Sequence, residues 1–163
     1  MRSEDDNAFM AMANAIARKS NCIRRAVGAV IVRNGQVITS GWNGVSERHR
    51  NCGEAGCPRC IAGGDTGSGY ETCICLHAEQ SAISDAARQG MSTRDCVMYV
   101  NLRPCLQCLV IAKAAGVRKI FYAGKEWNYS DEIEMVYRSL SDQFDSFSRV
   151  TELQDSNAAE SLG

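Results

Sequence analysis

The sequence predicts an α/β fold of three layers, α/β/α, around a central mixed sheet of about five strands with an antiparallel hairpin at one edge. Three observations predict it. Strand-like apolar runs alternate with helical patterns along most of the chain. Two runs rich in β-branched residues flank Asn34-Gly35, a dipeptide favoured in tight hairpins. The 163 residues, 45% of them hydrophobic, suit a single domain, 1–163, with a proper core.

Taken in order, Asn7 to Arg18 is expected as a helix with Phe9, Met12, Ala13 and Ile16 on one face. Asp5 and Asp6 suit its positive N-terminal end. Residues 26–32 and 36–40 are the hairpin strands. Gly41-Trp42-Asn43-Gly44 ends the second in glycines, where backbone can approach a ligand closely. A cysteine-rich insertion spans about 45–75, too long a loop to be an idle connection. His77 to Gln89 is expected as a helix with Ala78, Ala82, Ile83 and Ala86 as its small-residue face and Gly90 as its stop. Residues 96–100 form a strand, and Pro104-Cys105 opens a helix to about 115 with Leu106, Leu109, Val110 and Lys113 at helical spacing. A strand over 119–123, a helix over 131–140 and a last strand over 147–153 follow, with a frayed tail over about 154–163.

Net charge is −1. Grip on long nucleic acid calls for a basic field, so the balance favours a small-molecule partner. No run approaches the roughly 20 apolar residues of a membrane span, and the acidic N-terminus has no signal-peptide core. A cytoplasmic location is therefore expected. Thiols stay reduced there, so nine cysteines point to metal or catalysis rather than disulfides.

Two motifs carry chemistry: His77-Ala78-Glu79 and Pro104-Cys105-Leu106-Gln107-Cys108. Each alone is modest. A lone His-x-Glu is usually a surface helix start, and a lone Cys-x-x-Cys is either a metal knuckle or a redox pair. Together they match the zinc-deaminase signature H-x-E … P-C-x-x-C. One imidazole and two thiolates make a three-ligand zinc site with a fourth position open to water. Both clusters are expected at helix N-termini, where the dipole favours thiolate over thiol. Glu79 is then a carboxylate beside the metal, able to take a proton and pass it on. A structural zinc would need a fourth ligand, which Cys96 is placed to supply; a redox pair would leave His77 and Glu79 unexplained.

Residues 18–32, Gly41-Trp42-Asn43-Gly44, residues 77–83 and Pro104 to Cys108 resemble the deoxycytidylate (dCMP) deaminases, over roughly residues 8–125. The resemblance implies the cytidine-deaminase-like fold and hydrolysis of dCMP to dUMP with release of ammonia. Water would be delivered to C4 of cytosine, with Glu79 moving protons to N3 and then to the leaving amine. It implies that Asn43 contacts the sugar, that Ala78 lines the substrate site and that Arg25, with Arg24, sits near a phosphate. Effector coupling would involve Arg24, Gly44 and Arg88, with dCTP (carrying Mg) as activator and dTTP as inhibitor, in a homo-oligomer. Ser81, Trp42 and Asn101 depart from the family's usual residues, which concerns substrate fine-tuning rather than metal chemistry. Trp127 and Tyr129 either close the pocket or pack the core, the latter being the commoner fate of such rings.

Six cysteines precede the catalytic helix: Cys22, Cys52, Cys57, Cys60, Cys73 and Cys75. Some members of the family carry a second, structural zinc in this region, at positions resembling Cys22, Cys52 and Cys75. Four of the six would staple a glycine-rich loop that buries too little apolar surface to order itself. Two metals are also conceivable. Rival functions are a tRNA adenosine or other nucleoside deaminase, and a non-catalytic zinc-binding module. Glu79 separates the last, since a structural metal has no use for a neighbouring carboxylate.

Overall fold

The computed structural model describes residues 4–45, 50–54, 56–63, 69–124 and 129–150. Helix α1 (Glu4–Ala17) leads into strands β1 (Gly28–Arg33) and β2 (Gln36–Trp42). Asn34 and Gly35 both have positive φ, 51° and 75°, which matches the right-handed twist of the paired strands. Strands β3 (Val97–Val100), β4 (Lys119–Tyr122) and β5 (Ser146–Arg149) complete one sheet in the order β2-β1-β3-β4-β5. β1 is antiparallel to both β2 and β3, whereas β3, β4 and β5 run parallel. The sheet is therefore mixed, with the hairpin at its edge, as expected.

Alternation along the strands divides the core. Val30, Val32 and Tyr99 face α1 and pack with Met10 and Ala13. Ala29, Ile31, Met98 and Val100 face the other way, into the larger core. That side is covered by α3 (Ala78–Arg88), α4 (Leu106–Ala114) and α5 (Asp131–Ser141), giving three layers. α1 sits close to the sheet because β1 begins with a glycine. A Cβ on Gly28 would fall 2.1 Å from the Ala13 carbonyl oxygen. Gly41 does the same for α3, where a Cβ would fall 2.3 Å from the Ala82 nitrogen.

Two helix faces differ from expectation. Met12 is exposed and the buried positions of α1 are Met10, Ala13 and Ala17. In α4 the buried face is Cys108, Leu109 and Ala112, while Val110 is exposed. The approach of α1 to Gly28 and of Cys108 to His77 fixes each helix's rotation, overriding an apolar stripe that fitted two faces. The insertion is also more structured than a loop. It holds α2 (Pro58–Ala62) and 3₁₀ turns at Cys52–Glu54 and Tyr70–Thr72. Among the described residues no helix is long and apolar enough to cross a membrane. Trp127 and the tail from 151 lie outside the described residues.

Candidate active site

His77 is the N-cap of α3, in extended conformation (φ −78°, ψ 157°). Its backbone N–H donates to Gln80 Oε1 at 2.9 Å, closing a capping box. Glu79 lies inside the first turn and is almost fully buried. Residues two apart in a helix do not share a face. The extended N-cap resolves that difficulty, because His77 stands outside the helix that carries Glu79. Cys105 is the N-cap of α4, and its Sγ accepts the Cys108 N–H at 3.4 Å.

The two helix mouths meet. His77 Nδ1 is 3.3 Å from Cys105 Sγ and 3.4 Å from Cys108 Sγ. All three ligand atoms lie within 4.8 Å of one another. Tetrahedral zinc with N and S ligands needs separations of about 3.5–3.8 Å, so this donor set fits the ion with little movement. Cys96, the other conceivable ligand, belongs instead to the main core and contacts the Arg94 carbonyl at 3.6 Å.

The electrostatics suit a metal site. Contacts from Cys108 and then His77, outweighing burial, hold the Cys105 thiol down to about 4. Cys108 is pushed up by its neighbour Cys105 and by burial. Burial, then the Cys105 charge, raises the Glu79 carboxyl.

The pocket in front of these groups is lined by Arg24, Arg25, Asn43, Arg59, Tyr70, His77, Ala78, Glu79, Leu102 and Arg103, with sulfurs of the insertion beside them. Asn43 is buried, and its amide clamps two backbone groups. Its Oδ1 accepts the Val27 N–H at 2.7 Å and its Nδ2 donates to the Arg25 carbonyl at 2.8 Å. Ala78 is wholly buried in the wall. Arg24 carries a buried Nη1 with no partner among the described residues. Gly44 is not in the pocket wall. With φ 152° it exchanges two backbone hydrogen bonds with Leu76, at 3.1 and 2.9 Å, and so sets the approach to His77. Arg88 is at the far end of α3, exposed and paired with Asp85, and is not brought to the pocket. Tyr129 packs at the core; its hydroxyl accepts the Leu106 N–H at 2.8 Å.

Sequence reasoning missed Arg59, Arg103 and Tyr70. Their signals were local: Arg59 sits inside Cys57-Pro58-Arg59-Cys60 and Arg103 directly precedes Pro104. The Arg59 guanidinium lies 4.1 Å from the Tyr70 ring centroid, and Tyr70 meets His77 edge to face. Arg103 lies over Tyr137 at 4.0 Å and pairs with Glu134 at 2.5 Å.

Residues 3–124 match the model of the cytidine and deoxycytidylate deaminase zinc-binding region. The chain belongs to this family. It is 40% identical over 117 residues to deoxycytidylate deaminase of Schizosaccharomyces pombe, covering 72% of this chain and 36% of that protein. The chain therefore spans little more than a third of that relative's length. Deoxycytidylate deaminase of Mycobacterium phage D29 is 32% identical over 126 residues, covering 74% of this chain and 95% of the phage protein. Among solved structures, the dCMP deaminase of cyanophage S-TIM5 in complex with dCMP and dUMP superposes with a TM-score of 0.69 at 28% identity. The match covers 92% of this chain and 99% of that one. The matched region, residues 3–124, contains His77, Cys105 and Cys108.

Proposed function

We propose that this chain hydrolyses dCMP to dUMP and ammonia as a single deaminase domain. The observation that carries the reading is the convergence of His77, Cys105 and Cys108 beside buried Glu79, at the floor of an arginine-lined pocket. The named deoxycytidylate deaminases support the substrate, as does the phage structure holding dCMP and dUMP.

His77, Cys105 and Cys108 would hold the zinc. When bound, the ion supplies Lewis acidity that readies a water for attack on C4. Glu79 takes one proton from the attacking water and gives it to N3, then takes the second from the hydroxyl so formed on C4 and gives it to the leaving amine, which departs as ammonia. Burial raises its carboxyl, which favours the protonated form from which it donates. Asn43 fixes the backbone of Arg25 and Val27, and so the wall against which the sugar lies. Arg24, Arg25, Arg59 and Arg103 offer cationic donors for the 5′-phosphate. That preference for an anion favours a nucleotide over a free nucleoside.

The same reading extends to regulation, with dCTP and Mg activating and dTTP inhibiting, and Arg24, Gly44 and Arg88 assigned to coupling. It also places the chain in the cytoplasm and in a homo-oligomer. Ile133, Met135 and Val136 are exposed on α5, a surface that a second copy would cover.

Ammonia release tests the reading, with purified protein against dCMP, dCTP, deoxycytidine and tRNA, each with and without dCTP and Mg. Turnover of dCMP above the others is expected, raised by dCTP. Zinc-loaded protein inactive on every cytosine compound would overturn it. Glu79→Gln should lower turnover of dCMP by roughly 10²–10⁴-fold, with zinc content and melting temperature unchanged.

A further inference from the structure

The insertion and the connection between α1 and β1 together bring six sulfurs into one place. Cys22, Cys52, Cys60 and Cys75 have Sγ atoms all within 4.8 Å of one another. Cys57, Cys73 and Cys75 form a second such set. The two sets share Cys75. Cys60 also touches both groups, being within hydrogen-bond reach of Cys52 and of Cys57.

We propose that these six cysteines hold two zinc ions in a binuclear thiolate cluster, with Cys75 and Cys60 bridging. Cys22 and Cys52 then serve one ion alone, and Cys57 and Cys73 the other. The count is what decides it. Two tetrahedral zinc ions need eight ligand positions, and six thiolates fill eight only when two are shared. A single zinc would leave two thiols of a tightly packed group without a role.

Geometry supports the assignment. Cys57 and Cys73 Sγ are 3.9 Å apart, as are Cys75 and Cys52. That is close to the edge of a zinc–sulfur tetrahedron, about 3.8 Å, and far beyond a disulfide at about 2.05 Å. Backbone N–H groups are aimed at the sulfurs as thiolates require. Cys22 receives those of Arg24 and Arg25, Cys57 those of Cys60 and Ile74, and Cys73 that of Cys75. Six thiolates around two divalent ions carry a net charge of −2. Arg24, Arg25 and Arg59 stand beside them, each within three residues of a cluster cysteine.

The alternative of an ordinary apolar core fails on size. Among the described residues the cluster contains one aliphatic residue, Val45, beside its six cysteines. One valine and six thiols do not offset the ordering of so long an insertion.

Metal counting tests the proposal without reference to turnover. The full chain is expressed with zinc, purified anaerobically with reductant and weighed by native mass spectrometry. Three zinc ions per chain are expected, one at His77 and two here. His77→Ala should remove one ion and leave two. Cys57→Ser and Cys73→Ser should each lower the count to two. Cys75→Ser should leave only the ion at His77. Should that variant not fold, the wild-type protein loaded with ¹¹³Cd gives the same information. Three cadmium resonances are expected, two of them split by coupling through a shared thiolate. A wild-type count of two or fewer, or three unsplit resonances, would overturn the binuclear cluster. Neither result depends on whether dCMP is the substrate.

Discussion

The Tyr70 ring meets the His77 imidazole edge to face, with centroids 6.0 Å apart and planes at 63°. Arg59 in turn lies against Tyr70. The insertion thus reaches His77 through one aromatic ring. An aromatic pair contributes about 0.5–1.5 kcal/mol. Tyr70→Ala should therefore reduce kcat/KM for dCMP by roughly 2–10-fold, whereas Tyr70→Phe, which keeps the ring, should stay close to wild type. Steady-state kinetics on both variants decides the matter. Equal losses would assign the effect to the hydroxyl instead.

Arg24 and Arg59 should distinguish phosphorylated from unphosphorylated substrate. A charge-assisted hydrogen bond to phosphate contributes about 1.5–3 kcal/mol. Arg24→Ala and Arg59→Ala should each raise KM for dCMP by roughly 10–100-fold while leaving activity on deoxycytidine nearly unchanged. The ratio of the two kcat/KM values is the readout. A ratio that does not move would remove these side chains from phosphate recognition.

The Arg103–Glu134 pair predicts acid sensitivity. The Arg103 guanidinium holds the Glu134 carboxyl below the usual carboxylate range. Its folded value lies under its unfolded one, about 4.3. The pair's stabilisation is thus complete above that pH and is lost as pH falls through the lowered folded value. Glu134→Gln should cost about 1–3 kcal/mol at neutral pH and flatten the acid limb of the melting curve. Melting temperatures from pH 7 down to pH 3 test this. Parallel acid limbs for wild type and variant would assign the acid sensitivity to other carboxyls.

Gly41→Ala should be felt at the metal site. The added Cβ would lie 2.3 Å from the Ala82 nitrogen and 2.5 Å from the Ala78 carbonyl oxygen, both backbone. Overpacking of this kind costs about 1–3 kcal/mol. A fall in melting temperature of roughly 2–12 °C is expected, together with weaker retention of zinc under chelator, because α3 carries Glu79 and is capped by His77.

The parts of the site that the sequence made legible are those where chemistry and local structure coincide. His77 and Cys105 each cap a helix, so residue type, spacing and helix start were readable in a few adjacent residues. The hairpin was readable because Asn34-Gly35 is its turn. Helix rotation was less so. Met12 and Val110 fit an apolar stripe but face solvent, since close contacts at Gly28 and His77 set the rotation. Arg59 and Arg103 each sit beside a motif residue, but that adjacency does not say which way the side chain faces; Tyr70 enters the pocket only through the fold of the insertion. The division of six cysteines into two sets likewise required three dimensions.

The paired backbone bonds between Gly44 and Leu76 mean that the insertion departs and returns at almost one point. A chain closed at its base in this way can change length at small entropic cost, while the strand before it and the helix after it stay put. The pocket at the mouths of α3 and α4 and the segment beside it are thus separable parts of the chain. One can keep its geometry while the other changes length.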